Sequence, residues 1–156
     1  MKITAQEEYG LRILLRIAFS DSPEGISIPQ ISKLEGISQH YVGKLCRLLR
    51  LAGFINSSRG KEGGYTLARS PGDIRLKAVL ESLGGRLYTP EFCGSHTGNL
   101  KACTHTVDCS VRSVWMLVQQ SVDTILQQMT LQHLLPGSGE ELPLSEFIFE
   151  MNDQSR

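Results

Sequence analysis

Three of the four cysteines of this 156-residue chain lie in one short segment. Cys93, Cys103 and Cys109 are separated by nine and five residues, most of them glycine or polar. Thiolates are soft ligands that suit zinc, copper(I) or iron-sulfur clusters. Because such a polar segment has little to add to a hydrophobic core, we expect it to hold a metal centre, and three thiolates call for a fourth ligand.

The spacing of these cysteines leaves the type of centre open. It lacks the paired Cys-x2-Cys knuckles of a zinc ribbon, and His96 and His105 do not stand at zinc-finger spacing. A structural zinc site is therefore weakly supported. The fourth cysteine, Cys46, falls on the apolar face of a predicted helix and is interpreted as a core residue.

Composition indicates a globular chain with one core. Hydrophobic residues make up 40% of it, and no apolar run reaches the roughly 18 residues needed to span a bilayer. We therefore expect a cytoplasmic protein without a signal peptide, in which thiols stay reduced. The net charge of zero conceals an excess of five positive charges in residues 1 to 77 and of five negative charges in the remainder.

The basic half carries the pattern of a helix-turn-helix. Capping boxes at Thr4 and Ser27 predict two helices, the first running to about Phe19 and the second ending at Gly36. Ser38 can cap a third helix after a short turn. In this arrangement the side chains able to reach DNA are those of Ser38, Gln39, His40, Tyr41 and Lys44. An ordinary three-helix packing explains this segment equally well.

The next segment favours DNA binding. Residues 54 to 57 and 64 to 67 are predicted as two short strands, joined by a glycine-rich tip that contains Arg59 and Lys61. A hairpin directly after a recognition helix is a wing, and its arginine can enter a narrow minor groove. From residue 41 to 77 there are eight Lys or Arg and two Asp or Glu, so the positive charge lies where DNA would bind.

A long amphipathic segment follows the cysteines. Val111, Val114, Val118, Val122 and Ile125 continue to Met129 at heptad spacing, which favours a dimerisation helix over packing within one domain. A symmetric dimer would read a palindromic operator in double-stranded DNA.

The predicted fold is mainly α with a small β-hairpin wing: a winged helix-turn-helix with a long C-terminal dimerisation helix. We divide the chain into a DNA-binding domain (1–85), a cysteine-rich cluster-binding loop (86–109), a dimerisation helix region (110–135) and an acidic C-terminal tail (136–156).

The chain resembles the Rrf-type family of bacterial winged-helix regulators, which includes IscR, NsrR and RirA. The similarity spans roughly residues 1 to 135. It rests on the opening Met1-Lys-Ile-Thr with Tyr9, on Gly36-Ile-Ser38 before Tyr41 and Leu45, on Arg59-Gly-x-x-Gly-Gly-Tyr65-x-Leu67, and on three cysteines before a helix with Trp115.

This resemblance implies a homodimer with an iron-sulfur cluster on Cys93, Cys103 and Cys109, and DNA contacts at Ser38, His40, Gly43 and Arg59. The first cysteine gap is longer than is usual in the family. Where IscR-like members carry a histidine ligand, this chain has Arg112, which cannot ligate a metal. NsrR-like members use a carboxylate from the partner's first helix, and the matching residue is Glu8. His105 and Asp108 are the next candidates.

The resulting hypothesis is a regulator, a repressor, whose operator binding responds to nitric oxide, oxygen or iron through its cluster. Three thiolates and one further ligand favour a 4Fe-4S over a 2Fe-2S cluster. The alternative is a thiol-disulfide redox repressor that needs neither iron nor Glu8. The sequence contains no set of residues typical of a catalytic site, so we expect no enzyme activity.

Overall fold

The computed structural model describes residues 3–20, 22–58, 63–89, 91–100, 102–105 and 109–137. Within these ranges the chain is mainly helical with one antiparallel hairpin, as predicted. The helices and strands are α1 (Ala5–Ala18), α2 (Ile28–Glu35), α3 (Gln39–Leu51), β1 (Ile55–Ser57), β2 (Tyr65–Leu67), α4 (Leu76–Ser82), α5 (Phe92–Ser95) and α6 (Ser110–Gln128), with 3-10 turns at Pro71–Asp73 and Leu131–Leu134. The acidic tail predicted after residue 135 lies almost wholly outside the described residues.

The start of α1 is fixed to the end of α4. The backbone N–H of Thr4 donates to Glu7 Oε2 at 2.6 Å, which completes the predicted capping interaction. The Gln6 side chain donates to the Leu83 carbonyl at 2.6 Å. A Cβ on Gly85 would stand only 2.9 Å from Glu7 Oε1. These contacts fix the first turn of α1 against the end of α4.

Helices α2 and α3 form the predicted helix-turn-helix. Gly36 ends α2 in the left-handed conformation, with φ of 68°, which a residue without a Cβ adopts readily. The Ser32 hydroxyl donates to the Ile37 carbonyl at 2.6 Å and closes the turn. Ser38 then caps α3, as its position predicted.

The core lies between α1, α3, the hairpin and α4. Its fully buried side chains include Ile13, Leu14, Leu45, Leu49 and Val79. Cys46 is fully buried among them, which confirms its interpretation as a core residue. Burial raises the pKa of the Cys46 thiol to about 12, because desolvation disfavours the thiolate.

The wing hairpin pairs Ile55 with Leu67 and Ser57 with Tyr65. Each strand begins one residue later than predicted. Phe54 still donates its backbone N–H to the Leu49 carbonyl at the end of α3. Gly64 lies against the backbone of residues 25 and 26, and an isolated bridge between Ile26 and Tyr65 joins the hairpin to that loop.

The two halves of α6 have different surroundings. Its C-terminal half packs on α4, and beyond it an isolated bridge joins Arg75 to Thr130 and Leu131 is buried in the core. Apolar side chains of the N-terminal half are 46 to 65% exposed: Val111, Val114, Trp115, Met116 and Leu117. α6 ends at Gln128, and the predicted heptad face therefore falls almost entirely on one helix. Among the described residues, every helix is too short or too polar to cross a membrane.

Gly64→Ala is expected to lower the free energy of unfolding by about 1–3 kcal/mol, because overpacking against backbone cannot be relieved by a rotamer change. The added Cβ would lie 2.7 Å from the Ile26 nitrogen and 2.8 Å from the Gly25 carbonyl carbon. Urea unfolding monitored by circular dichroism measures the change. Gly72→Ala is the control, since a Cβ there meets nothing within 4 Å; equal losses in both variants would refute the packing argument.

Candidate nucleic-acid interface and metal centre

The N-terminal end of α3 presents most of the predicted DNA-contacting side chains to solvent. Ser38 Oγ accepts the backbone N–H of Tyr41 at 3.3 Å, which leaves the Ser38 hydroxyl proton to donate elsewhere. Ser38, Gln39, His40 and Lys44 are all exposed. These positions fit a helix that enters a major groove N-terminus first.

Tyr41 differs from these residues because it also packs against α1. Its ring meets the Tyr9 ring edge-on, with centroids 6.0 Å apart, and it is only partly exposed. Lys44 Nζ lies 5.5 Å from the centroid of the Tyr41 ring. Tyr41 therefore fixes α3 to α1, in addition to the predicted role at DNA.

Glu35 joins α1 to the turn that precedes α3. Its carboxylate accepts the Nε–H of Arg12 at 3.0 Å and of Arg16 at 2.6 Å. Arg12 Nη2 also donates to the Glu35 main-chain carbonyl at 2.8 Å. Burial by itself raises the pKa of Glu35, but the hydrogen bonds and charges of Arg16 and Arg12 outweigh it and hold the pKa below its usual value.

Arg59 and Lys61, predicted for the tip of the wing, lie outside the described residues. Their proposed contact with DNA stays a prediction. The strands on either side of this tip are in place, with Ser58 Oγ accepting the Gly64 N–H at 2.8 Å.

Cys93 lies on the short helix α5 beside an aromatic hydroxyl and a guanidinium. The Tyr88 hydroxyl is 3.6 Å from Cys93 Sγ. The pKa of the Cys93 thiol is lowered, first by the hydrogen bond from Tyr88 and then by the hydrogen bond and charge of Arg112, against an opposing effect of desolvation. Cys93 is thus surrounded by groups that stabilise its thiolate.

Cys109 stands at the N-cap of α6, where its Sγ accepts the Arg112 backbone N–H at 3.4 Å. Arg112 therefore contacts both Cys93 and Cys109. Cys103 is partly buried in the same polar segment. Among the residues that the structure describes, no three His, Cys, Asp or Glu side chains are grouped to hold a metal ion.

The donor chemistry of this segment nevertheless fits a thiolate-bound centre. All three cysteines are free thiols and partly accessible. Cys109 stands at the N-terminus of the long helix α6, which fixes the position of its sulfur relative to that helix.

Glu8 lies beside the C-terminal half of α6, whereas Cys109 stands at the opposite end of that helix. Glu8 is exposed on α1 and borders an apolar groove of about 480 Å³, which is also lined by Leu11, Leu87, Val122 and Leu126. Val122 is thirteen residues beyond Cys109, so at 1.5 Å per helical residue the two lie about 20 Å apart. His105 is exposed, and Asp108 lies outside the described residues.

Comparison with known proteins identifies this architecture. Residues 3–137 match the model of the family Rrf2, described as "Iron-dependent Transcriptional regulator". The chain belongs to the Rrf2 family. It is a DNA-binding transcriptional regulator with a winged helix, as the resemblance implied, and its Rrf2 relatives are named as regulators and not as enzymes.

Three relatives illustrate how similar this Rrf2 chain is to known proteins. The protein rrf2 of Nitratidesulfovibrio vulgaris is 35% identical over 86% of this chain and 87% of its own length. The regulator NsrR of Geobacillus kaustophilus is 32% identical over 86% and 90%, respectively. The structure of CymR, the global cysteine regulator of B. subtilis, superposes with a TM-score of 0.66 at 26% identity and covers 86% of this chain and 95% of that one.

Sequence reasoning missed the neighbours of the cysteines in this Rrf2 protein. Arg112 was recognised as a residue unable to ligate, but its contact with Cys93 was not anticipated. Tyr88 carried no signal, since a lone tyrosine after Gly84-Gly85 is ordinary. Both roles depend on long-range contacts with α6, made by Leu87 and Tyr88 with Gln119 and by Cys93 with Arg112.

Glu35→Gln is expected to lower the free energy of unfolding at pH 7 by about 1–2 kcal/mol, because it removes the charge from two hydrogen-bonded ion pairs. This magnitude is smaller than for fully buried pairs, because solvent screens the two partly exposed arginines. Because the folded pKa of Glu35 is depressed, its contribution is complete above the unfolded value near 4.5 and is lost as pH falls through the folded pKa.

Urea unfolding of both proteins between pH 3 and pH 7 tests this expectation. The difference between wild type and variant should shrink below about pH 4.5. Glu24→Gln is the control, because Glu24 is exposed. A difference that stays constant with pH would show that the ion pairs are not its source.

Proposed function

We propose that this protein is a homodimeric Rrf2-family repressor whose operator binding is controlled by an iron-sulfur cluster that reacts with nitric oxide or oxygen or reports iron supply. The observation that carries the proposal is the set of three free, partly accessible thiols on one polar segment at the N-terminus of α6. The family description, "Iron-dependent Transcriptional regulator", supports iron as the metal.

Cys93, Cys103 and Cys109 would hold the cluster, with Glu8 of the partner subunit as fourth ligand. When bound, an iron-sulfur cluster of the 4Fe-4S or 2Fe-2S type supplies a site that small oxidants and nitric oxide attack. A carboxylate oxygen is a hard ligand for thiolate-bound iron, so this site is open to exchange. Arg112 cannot ligate the metal, but its positive charge would neutralise part of the negative charge of the thiolates.

An antiparallel pairing of α6 with its symmetry mate explains how the partner's Glu8 reaches the cysteines. The exposed apolar residues lie in the N-terminal half of α6, and the apolar groove beside Glu8 lies against its C-terminal half. Crossing two such helices near their centres puts the exposed half of each into the groove of the other. In this antiparallel arrangement the C-terminal half of one α6, beside which Glu8 lies, is next to the N-terminus of the other α6. Glu8 of one chain is thereby brought towards Cys109 of the other.

The link from this site to DNA runs along α1. Glu8 and Arg12 are one turn apart on the same face of α1, and Arg12 holds Glu35 at the helix-turn-helix. A shift of α1 in response to its Glu8 contact therefore moves the turn before the recognition helix. In a dimer this alters the spacing of two recognition helices, on which binding to a palindromic site depends.

A thiol-disulfide switch is the second candidate. Tyr88 and Arg112 stabilise the Cys93 thiolate, and Arg112 also contacts Cys109. Oxidation by a peroxide would convert Cys93 to a sulfenic acid and release water or an alcohol. Attack by the Cys109 thiol would then form the disulfide and release water. This candidate requires neither iron nor Glu8.

Anaerobic purification followed by iron and acid-labile sulfide analysis, with a visible spectrum, separates the two candidates. The cluster proposal expects stoichiometric iron and sulfide, and a cluster that decays at least about tenfold faster in Glu8→Ala. Glu24→Ala is the matched control because Glu24 is an exposed acid on the loop before α2.

The same preparations test control of DNA binding. An operator selected from a random double-stranded library should bind the cluster-loaded and cluster-free forms with different affinities at matched salt. If the protein purified from anaerobic cells is colourless and free of iron, the cluster proposal is refuted. If that protein loses two hydrogens on peroxide treatment and its affinity for the operator changes, the thiol switch replaces it.

Val114→Glu is expected to weaken dimerisation by about tenfold or more, because a charge buried against an apolar groove costs over 1.4 kcal/mol per dimer. Sedimentation equilibrium measures the dissociation constant. Gln120→Glu adds the same charge at an exposed polar position of the same helix and should leave it unchanged. Equal weakening, or no weakening in either variant, would place the interface elsewhere.

A further inference from the structure

Gln119 is a buried polar residue of α6 that neither DNA binding nor metal ligation uses. Its exposed fraction is 7%, although the residues around it on the N-terminal half of the helix are largely exposed. Its Oε1 accepts the backbone N–H of Leu87 at 2.7 Å and of Tyr88 at 3.0 Å. One side-chain oxygen therefore holds two consecutive peptide groups.

The other end of the Gln119 amide is fixed as well. Its Nε2 donates to Asp123 Oδ1 at 2.7 Å, one turn further along α6. Asp123 Oδ2 in turn lies 3.3 Å from Lys77 Nζ on α4 and 3.7 Å from Arg86 Nη2. The orientation of the amide is thus determined: oxygen towards the chain at residues 87 and 88, nitrogen towards the carboxylate.

The two peptide groups held by Gln119 lead directly to the first cysteine. Tyr88 is only five residues before Cys93, and its hydroxyl lies 3.6 Å from Cys93 Sγ. Its ring also packs against Phe92, with centroids 6.0 Å apart. Fixing the backbone at Tyr88 therefore fixes the side chain that meets Cys93.

We infer that Gln119 is a positioning residue for the cysteine site, acting through the backbone of Leu87 and Tyr88 to hold Cys93 where it can serve as a ligand. This inference rests on the proposed function for its purpose. An uncharged amide meets both demands, since it offers an acceptor to two N–H groups and a donor to a carboxylate. Through Lys77 the same network ties the cysteine segment to the winged domain.

The test uses a charge swap between Gln119 and Asp123. Gln119→Glu keeps an oxygen for Leu87 and Tyr88 but sets a second carboxylate oxygen against Asp123. The double variant Gln119→Glu/Asp123→Asn restores a donor opposite that oxygen. Gln120→Glu is the control, because it adds the same charge at the neighbouring exposed position.

The first readout is cluster lifetime in the anaerobically purified dimer after exposure to air. In Gln119→Glu the lifetime should fall about tenfold or more, as is typical when an outer partner of a metal ligand is lost. The double variant should recover most of it, and Gln120→Glu should match the wild type. An unchanged lifetime in Gln119→Glu, or equal loss in the single and double variants, would overturn the inference.

The second readout works without a cluster, so it separates this inference from the proposed function. In the metal-free protein, amide hydrogen exchange at Leu87 and Tyr88 should be faster in Gln119→Glu and slow again in the double variant. The alkylation rate of Cys93 relative to Cys103 should change in the single variant and return in the double. If wild-type protein binds no iron, the proposed function fails, and unchanged exchange and alkylation would then refute the positioning role independently.

Discussion

The carboxylate of Glu35, held between Arg12 and Arg16, is the interaction on which the DNA-facing side of this protein depends. The helix-turn-helix is a short element, and α2 has only eight residues. Its orientation is fixed by α1, because Arg12 and Arg16 bind the Glu35 carboxylate and Arg12 also donates to the last main-chain carbonyl of α2. The Tyr9–Tyr41 contact adds a second attachment on α3. The recognition helix is thus held in place by α1, which is also the helix that carries Glu8.

The described part of the chain leaves two apolar surfaces uncovered. Half of α6 exposes large apolar side chains, and a groove lined by α1, α4 and α6 leaves further apolar surface uncovered. Patches of this kind mark interaction surfaces in soluble proteins. The winged domain has its own hydrophobic core, whereas residues 87 and 88, which precede Cys93, are held by polar links to α6. The two parts of the described chain are therefore ordered by different kinds of interaction.

The winged domain could be predicted closely from its sequence because its signals are local. Capping residues predicted where α1, α2 and α3 begin, and Gly36 predicted where α2 ends. The glycine-rich residues between the strands predicted the bounds of the hairpin to within one residue. The cysteine segment could be predicted only as a set of ligand types. Its geometry depends on long-range contacts, such as Gln119 with Leu87 or Arg112 with Cys93, between residues of ordinary type that leave no periodic trace. The ion pairs of Glu35 were missed for the same reason.

The four cysteines are divided between two chemical environments, and this has a consequence for durability. Cys46 sits in the core of the winged domain with its thiol held protonated, out of reach of oxidants and metals. The other three lie on a segment that contributes little to that core. Chemical modification of Cys93, Cys103 or Cys109 is therefore expected to leave the packing of the core around Cys46 intact. The part of the protein that carries accessible sulfur is thereby separated from the part that positions the recognition helix.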